Sequence, residues 1–252
     1  MSSNAKSNTN NKLRRKEKMA FNPNNYKAPA AKKLPVILLL DVSGSMSGEK
    51  INTLYDSVVE MVDSFVAAQV KETIIDVAVI TFGSKVELHT PYTSVAELQK
   101  TGINRFHADG MTPMGTALQM AKDMIDDKNT TPSNIYRPAV VLVSDGQPND
   151  SWENPLDNFI KDGRSAKCQR FAIAIGHDAD RNVLERFTGE KANVMFAEDA
   201  SRMADCFQKF TMSVSMRATS PNPNVVPTPS NASFDNNTKQ DTDDDDAGIP
   251  EF

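Results

Sequence analysis

The chain has 252 residues, of which 39% are hydrophobic and 24% charged, and a formal net charge of -5. This excludes a fully disordered or collagen-like chain and leaves room for one large or two small domains. The acidic balance argues against a protein devoted to nucleic acid, which usually carries a basic excess. Charge is unevenly spread: residues 1–33 hold nine Lys/Arg against Glu17 alone, whereas residues 217–252 hold seven Asp/Glu against Arg217 and Lys239. Cys168 and Cys206 form neither a Cys-x-x-Cys pair nor a zinc-type cluster. No run approaches the roughly 18 apolar residues of a membrane span, and the basic N-terminal stretch leads into Asn and Pro rather than an apolar signal core. The expectation is a soluble, reducing, cytoplasmic setting with neither membrane nor nucleic acid as partner.

Residues 1–33, rich in Asn, Ser and Lys, and residues 217–252, with Pro221, Pro223, Pro227, Pro229 and an Asp run, lack periodic apolar positions and read as disordered arms. Between them, 34–216 reads as one domain in which strand-length apolar runs alternate with helical periodicity, the pattern of a mostly parallel sheet covered by helices. The first strand is 36–41, apolar throughout as a central strand covered on both faces requires, and it ends at Asp41. Ile51, Leu54, Val58 and Phe65 then recur at helical spacing over 50–70. A second strand, 74–82, turns at Gly83-Ser84 into 85–92, whose alternation marks a hairpin edge. A short helix over 95–99 and a loop over 101–111 precede Thr112-Pro113, read as capping and starting a helix to about 127. A buried strand at 139–144 ends at Asp145. Helix 154–166, strand 168–175, helix 183–187, strand 192–196 and helix 202–214 complete the pattern.

Three features converge on the carboxyl ends of these strands, where an open α/β sheet has its ligand crevice. They are Asp41-Val42-Ser43-Gly44-Ser45, Gly110-Met111-Thr112-Pro113 and Asp145-Gly146. Alternate residues of an extended stretch face one side, so Asp41, Ser43 and Ser45 can approach one point if Gly44 permits the turn. Two carboxylates and three hydroxyls form a set of hard oxygens without imidazole or thiolate. Such a set suits Mg²⁺ or Mn²⁺, Ca²⁺ less well, and zinc or copper poorly.

Asp41-x-Ser43-x-Ser45, Thr112 and Asp145 together resemble the metal-ion-dependent adhesion site of von Willebrand factor A domains. The loops at 110–115 and 143–148 are similar to those of the bacterial tellurium-resistance TerY group. The resemblance implies a doubly wound, Rossmann-like sheet with one antiparallel edge strand. It further implies direct metal ligation by Ser43, Ser45 and Thr112, water-mediated roles for Asp41 and Asp145, and capture of a partner protein's Asp or Glu rather than catalysis. It also implies association with a protein kinase and a phosphatase in bacterial stress or signalling systems. The acidic tail stands where some TerY-like proteins carry a cysteine-rich zinc module.

Simpler readings compete residue by residue. Ser43 and Ser45 alone would pass as turn residues, and only the complete set carries the metal reading. Glu49 and Lys50 read as solvated residues of a first helical turn, Cys168 and Cys206 as core. Met46 and Met111 read as apolar residues beside the site, and His107 as a lone histidine able to line the crevice. An aspartyl phosphotransferase would need a second carboxylate two residues beyond Asp41, where Ser43 stands. No phosphate-binding Gly-x-x-x-x-Gly-Lys loop is present, and no serine has a histidine base near it in sequence. A metal-dependent phosphotransfer or hydrolytic enzyme, and a docking subunit of an ATP-driven chelatase-like machine, are the alternatives to a binding module.

Overall fold

A computed structural model describes residues 31–68 and 73–224. Its strands are β1 (Lys32–Asp41), β2 (Thr73–Phe82), β3 (Val86–Ser94), β4 (Ala139–Ser144), β5 (Gln169–Ile175) and β6 (Val194–Ala197). They form one sheet in the order β3-β2-β1-β4-β5-β6, parallel throughout except for the antiparallel β2/β3 pair at one edge. Six α-helices accompany it among the described residues: α1 (Glu49–Ala68), α2 (Val95–Thr101), α3 (Met114–Asp126), α4 (Glu153–Lys161), α5 (Arg181–Thr188) and α6 (Ala200–Thr219). This is the mostly parallel, helix-covered sheet that the sequence pattern implies, with the doubly wound order and antiparallel edge strand that the resemblance implies.

The two-residue period of β1 divides the core. Leu34, Val36, Leu38 and Leu40 face one layer with α1, α2 and α6, while Ile37 and Leu39 face the other with α3, α4 and α5. Every one of these side chains is fully buried, each contributing about 1.5–3 kcal/mol of transfer free energy. The sequence runs on β1 from β2 on one side to β4 on the other, which places the switch in strand order beside its carboxyl end.

Several boundaries differ from the sequence reading for local reasons. The helix expected over 154–166 stops at Lys161, because the chain turns at Gly163 with φ of +67° against the Asp126 carboxylate. A short 3-10 turn follows at Ser165–Lys167, and the Arg164 guanidinium reaches the carbonyls of Ile125, Thr131 and Pro132. The last strand begins at Val194 after a second such turn, Lys191–Asn193. At the two ends, β1 begins at Lys32 and α6 runs on to Thr219, so ordered structure extends beyond both 34 and 216. Arg217 lies fully buried there, donating to the Gln169 side chain and to the carbonyls of Arg137 and Pro223. The remainder of the two expected arms lies outside the described residues.

Candidate metal centre

The crevice is built by three loops at the carboxyl ends of β1 and β4. Beyond Asp41, the chain is held by backbone bonds from Val42 N to Phe82 O, Asp109 N to Val42 O and Gly44 N to Gly110 O. The loop before α3 is therefore laid directly against the loop after β1. Gly110 lets the same loop pass close to the turn after β2: its φ is +79°, and a Cβ there would come within 2.3 Å of Ser84 N. Asn149 N donates to Thr112 O, joining the loop after β4 to the same point.

Asp41 is fully buried, and both its oxygens are engaged: Oδ1 accepts from Ser43 N at 2.9 Å and Oδ2 from Ser144 Oγ at 2.6 Å. Burial raises its pKa above the ordinary carboxylate value; the bonds from Ser144 and Ser43 oppose the rise, and the nearby Asp145 charge adds to it. Ser43 Oγ and Ser45 Oγ lie 2.9 Å apart, and Ser45 Oγ donates to Asp145 Oδ1 at 2.7 Å. Ser43, Ser45 and Asp145 are thus joined in one chain of bonds that closes a sequence separation of 100 residues. Thr112 is nearly buried, its Oγ1 within 3.6 Å of where a Cβ on Gly146 would stand, and its hydroxyl makes no hydrogen bond among the described residues. All five expected residues stand on these three adjoining loops, the four beside β1 and β4 hydrogen-bonded into one connected set.

Three side chains at the site were not singled out from the sequence. Ser144, the last residue of β4, supplies the hydroxyl on Asp41; its signal was a polar residue closing an otherwise apolar strand. Lys50, expected to be solvated, places Nζ 2.6 Å from Asp145 Oδ2 and 3.3 Å from Ser45 O. Asp150 does the capping assigned to Thr112, accepting from Gly115 N at 2.9 Å, Thr116 N at 2.8 Å and Thr116 Oγ1 at 2.9 Å. Thr112 lies before the actual cap residue, Pro113, and α3 starts only at Met114. That correction frees the Thr112 hydroxyl from helix capping.

Other expectations change as well. Met46 is fully buried in the core, while Met111 is 64% exposed beside Thr112. His107 is exposed and stands outside the hydrogen-bonded set. Cys168 and Cys206 are free and buried, with burial pushing the Cys168 thiol up to about 12, so it stays protonated. A cleft of about 630 Å³ opens beside Gly146 and Gln147, bounded on its other side by residues 177–182.

The donor set fits a hard divalent ion. Its charge is limited to two carboxylates, each already shared between two protein donors, and its remaining oxygens are hydroxyls. Among the described residues no three His, Cys, Asp or Glu side chains converge.

Fold and crevice together define a doubly wound α/β domain with an oxygen-rich crevice at the switch in strand order. The chain belongs to the von Willebrand factor type A domain family, whose model matches residues 36–209. Domains of this family are typically metal-dependent protein-interaction modules. Chicken (Gallus gallus) matrilin-3 is 29% identical over 165 residues, 62% of this chain and 34% of that protein. Human (Homo sapiens) inter-alpha-trypsin inhibitor heavy chain H4 is 24% identical over 161 residues, 60% of this chain and 17% of that one. The chain thus spans about a third or less of either curated relative. Proximal thread matrix protein 1 from the mussel byssus superposes with a TM-score of 0.60 at 21% identity, over 73% of this chain and 48% of that one. Its form with a zinc-occupied MIDAS motif aligns with the same TM-score of 0.60 at 20% identity, over the same 73% and 48%.

Proposed function

We propose that this crevice is a metal-ion-dependent adhesion site and that the chain is a binding module rather than an enzyme. Ser43, Ser45 and Thr112 would hold a divalent ion through their hydroxyls, with Asp145 and Asp41 behind them. The observation that carries this is the run of bonds from Ser43 through Ser45 to Asp145, beside a Thr112 hydroxyl with no bond of its own among the described residues. Asp41, both of whose oxygens serve Ser43 and Ser144, is suited to an indirect role through water.

Mg²⁺ or Mn²⁺ is the ion the hydroxyl-rich set favours, and weak binding follows from its few charged donors. When bound, it supplies an electrophilic centre for an Asp or Glu of a partner protein. The exposed Met111 and the cleft beside Gly146 offer that partner contact area around its carboxylate. Catalysis is disfavoured because Ser43 holds the position at which a phosphotransferase needs a second carboxylate. The TerY-like loops support a bacterial stress or signalling scaffold, working with a kinase and phosphatase, as the setting. Two unpaired buried cysteines favour the cytoplasm, and no described helix is long and apolar enough to cross a membrane.

Titration calorimetry with Mg²⁺, Mn²⁺ and Zn²⁺ tests the site. One divalent ion should bind, with Zn²⁺ no tighter than Mn²⁺, and Ser43→Ala or Asp145→Ala should abolish the heat. Unchanged binding in both variants would remove the site. Pull-down from the native host should lose its partners on addition of EDTA or on Thr112→Ala. Binding that survives both would place the interface elsewhere and leave the ion a structural role.

A further inference from the structure

The mouth of the crevice is closed by a cation that belongs to the chain itself. Gly48 adopts φ of +82°, a left-handed turn that sends the chain back into α1, and Lys50 in its first turn points at the loops it has just left. Its ammonium meets Asp145 Oδ2 at 2.6 Å and Ser45 O at 3.3 Å. The Asp145 side chain is fully buried while the Lys50 side chain remains 34% exposed. Asp145 has only two oxygens, and the other accepts the Ser45 hydroxyl. Among the described residues, Lys50 is the only Lys or Arg paired with either crevice carboxylate.

We propose that Lys50 is a tethered counter-ion that a divalent cation displaces from Asp145. The inference rests on the metal-site reading above and deepens it. A dication drawn to the Ser43, Ser45 and Asp145 oxygens shares one carboxylate with the ammonium, and two positive charges at such range in a poorly solvated crevice repel. The side that yields is the one with a solvated exit. Lys50 rides on a flexible four-carbon stem and is strongly hydrated once released, whereas the hydroxyls are fixed by the loops. In the metal-free protein the ammonium neutralises a buried carboxylate and stands in the way of monovalent cations, which match its charge but lack its tether. In the loaded protein it is released to the rim, beside Ser45, as a second positive group facing an acidic partner.

Two readouts test this. In calorimetry, Lys50→Met should tighten Mg²⁺ binding by roughly tenfold, the low end of what one unit charge within about 4–6 Å does to an ionisation equilibrium. Lys50→Arg, which keeps the charge, should stay close to wild type. Independently, acylation of lysines by an N-hydroxysuccinimide ester, read by mass spectrometry, should increase severalfold at Lys50 when Mg²⁺ is added. Lys161, paired with Asp157 on the surface, should not change. Mg²⁺ binding that is equal or weaker in Lys50→Met, with labelling indifferent to the ion, would overturn the exchange while leaving the metal centre standing; it would mean that Lys50 stays on Asp145 and supports it. No Mg²⁺ heat in wild type or variant would overturn the metal centre and the exchange together.

Discussion

Two groups of buried charge sit at different places in this molecule, and they are solvated in opposite ways. Arg217 near the end of α6 donates from Nε to Pro223 O at 2.9 Å, from one terminal nitrogen to Gln169 Oε1 at 2.7 Å and from the other to Arg137 O at 2.8 Å. All three partners are neutral, none can leave without moving backbone or core, and burial pulls the guanidinium down to only about 10, so it stays charged at neutral pH. Asp145 instead meets a hydroxyl and an ammonium on a flexible stem, both with other uses. Buried charge held by carbonyls from three segments acts as a bolt, while buried charge held by hydroxyls and a mobile counter-ion is poised for exchange. The difference lies in the partners, since both side chains are equally hidden from water.

The largest expected effect is at the bolt. Arg217→Met should cost about 3 kcal/mol of stability, since it leaves three acceptors, two of them buried, without their donor. Urea unfolding measures it, and a loss below about 1 kcal/mol would show that the segment repacks, erasing the contrast. A chain ending at 216 should show the same weakness, and one ending at 224 should not.

A middle effect is expected where the two loops are stapled. Asp150→Ala removes the α3 cap at a cost of about 1–2 kcal/mol. It should also weaken Mg²⁺ binding, because Asp150 fixes the start of α3 just beyond Thr112. Gly115 belongs to that staple, since a Cβ there would lie 2.7 Å from Trp152 Cα. If calorimetry shows Mg²⁺ affinity untouched while stability falls, the cap serves the helix alone.

The smallest effect has the opposite sign. Burial raises the Asp41 pKa, so its charge is a cost in the metal-free fold. Asp41→Asn should therefore raise the metal-free melting stability, by about 1 kcal/mol at most, while weakening Mg²⁺ binding. A less stable variant would mean that the bonds from Ser43 and Ser144 outweigh desolvation, making Asp41 a second bolt.

How much of this was legible depends on how local the signal is. β1 and β4 announce themselves because strands covered on both faces must be apolar along their whole length. The Asp41-x-Ser43-x-Ser45 spacing was readable because it is set within five residues. Gly163 carried the end of α4 in plain view, though the expected helix ran through it to 166. Lys50 was hidden because a lysine in a first helical turn is ordinarily solvated, and only the left-handed turn at Gly48 aims it inward. Asp150 was hidden because it caps a helix whose first residue lies 36 positions earlier. Arg217 was assigned to the acidic arm on composition, yet it continues the buried face of α6 three residues beyond Val214; a charged residue conceals that continuation from any hydrophobic pattern.

The bond between Ser45 and Asp145 spans 100 residues, and that between Ser144 and Asp41 spans 103. In time, this separation means that the crevice is finished late. A chain emerging from a ribosome offers Asp41, Ser43 and Ser45 long before β4 exists to bring Asp145 beside them, and non-local pairings of this kind are slow to close. Half-made protein therefore has no complete crevice, and an ion bound at the proposed site would act only on the finished domain, drawing the equilibrium toward it in proportion to the logarithm of its concentration over the dissociation constant.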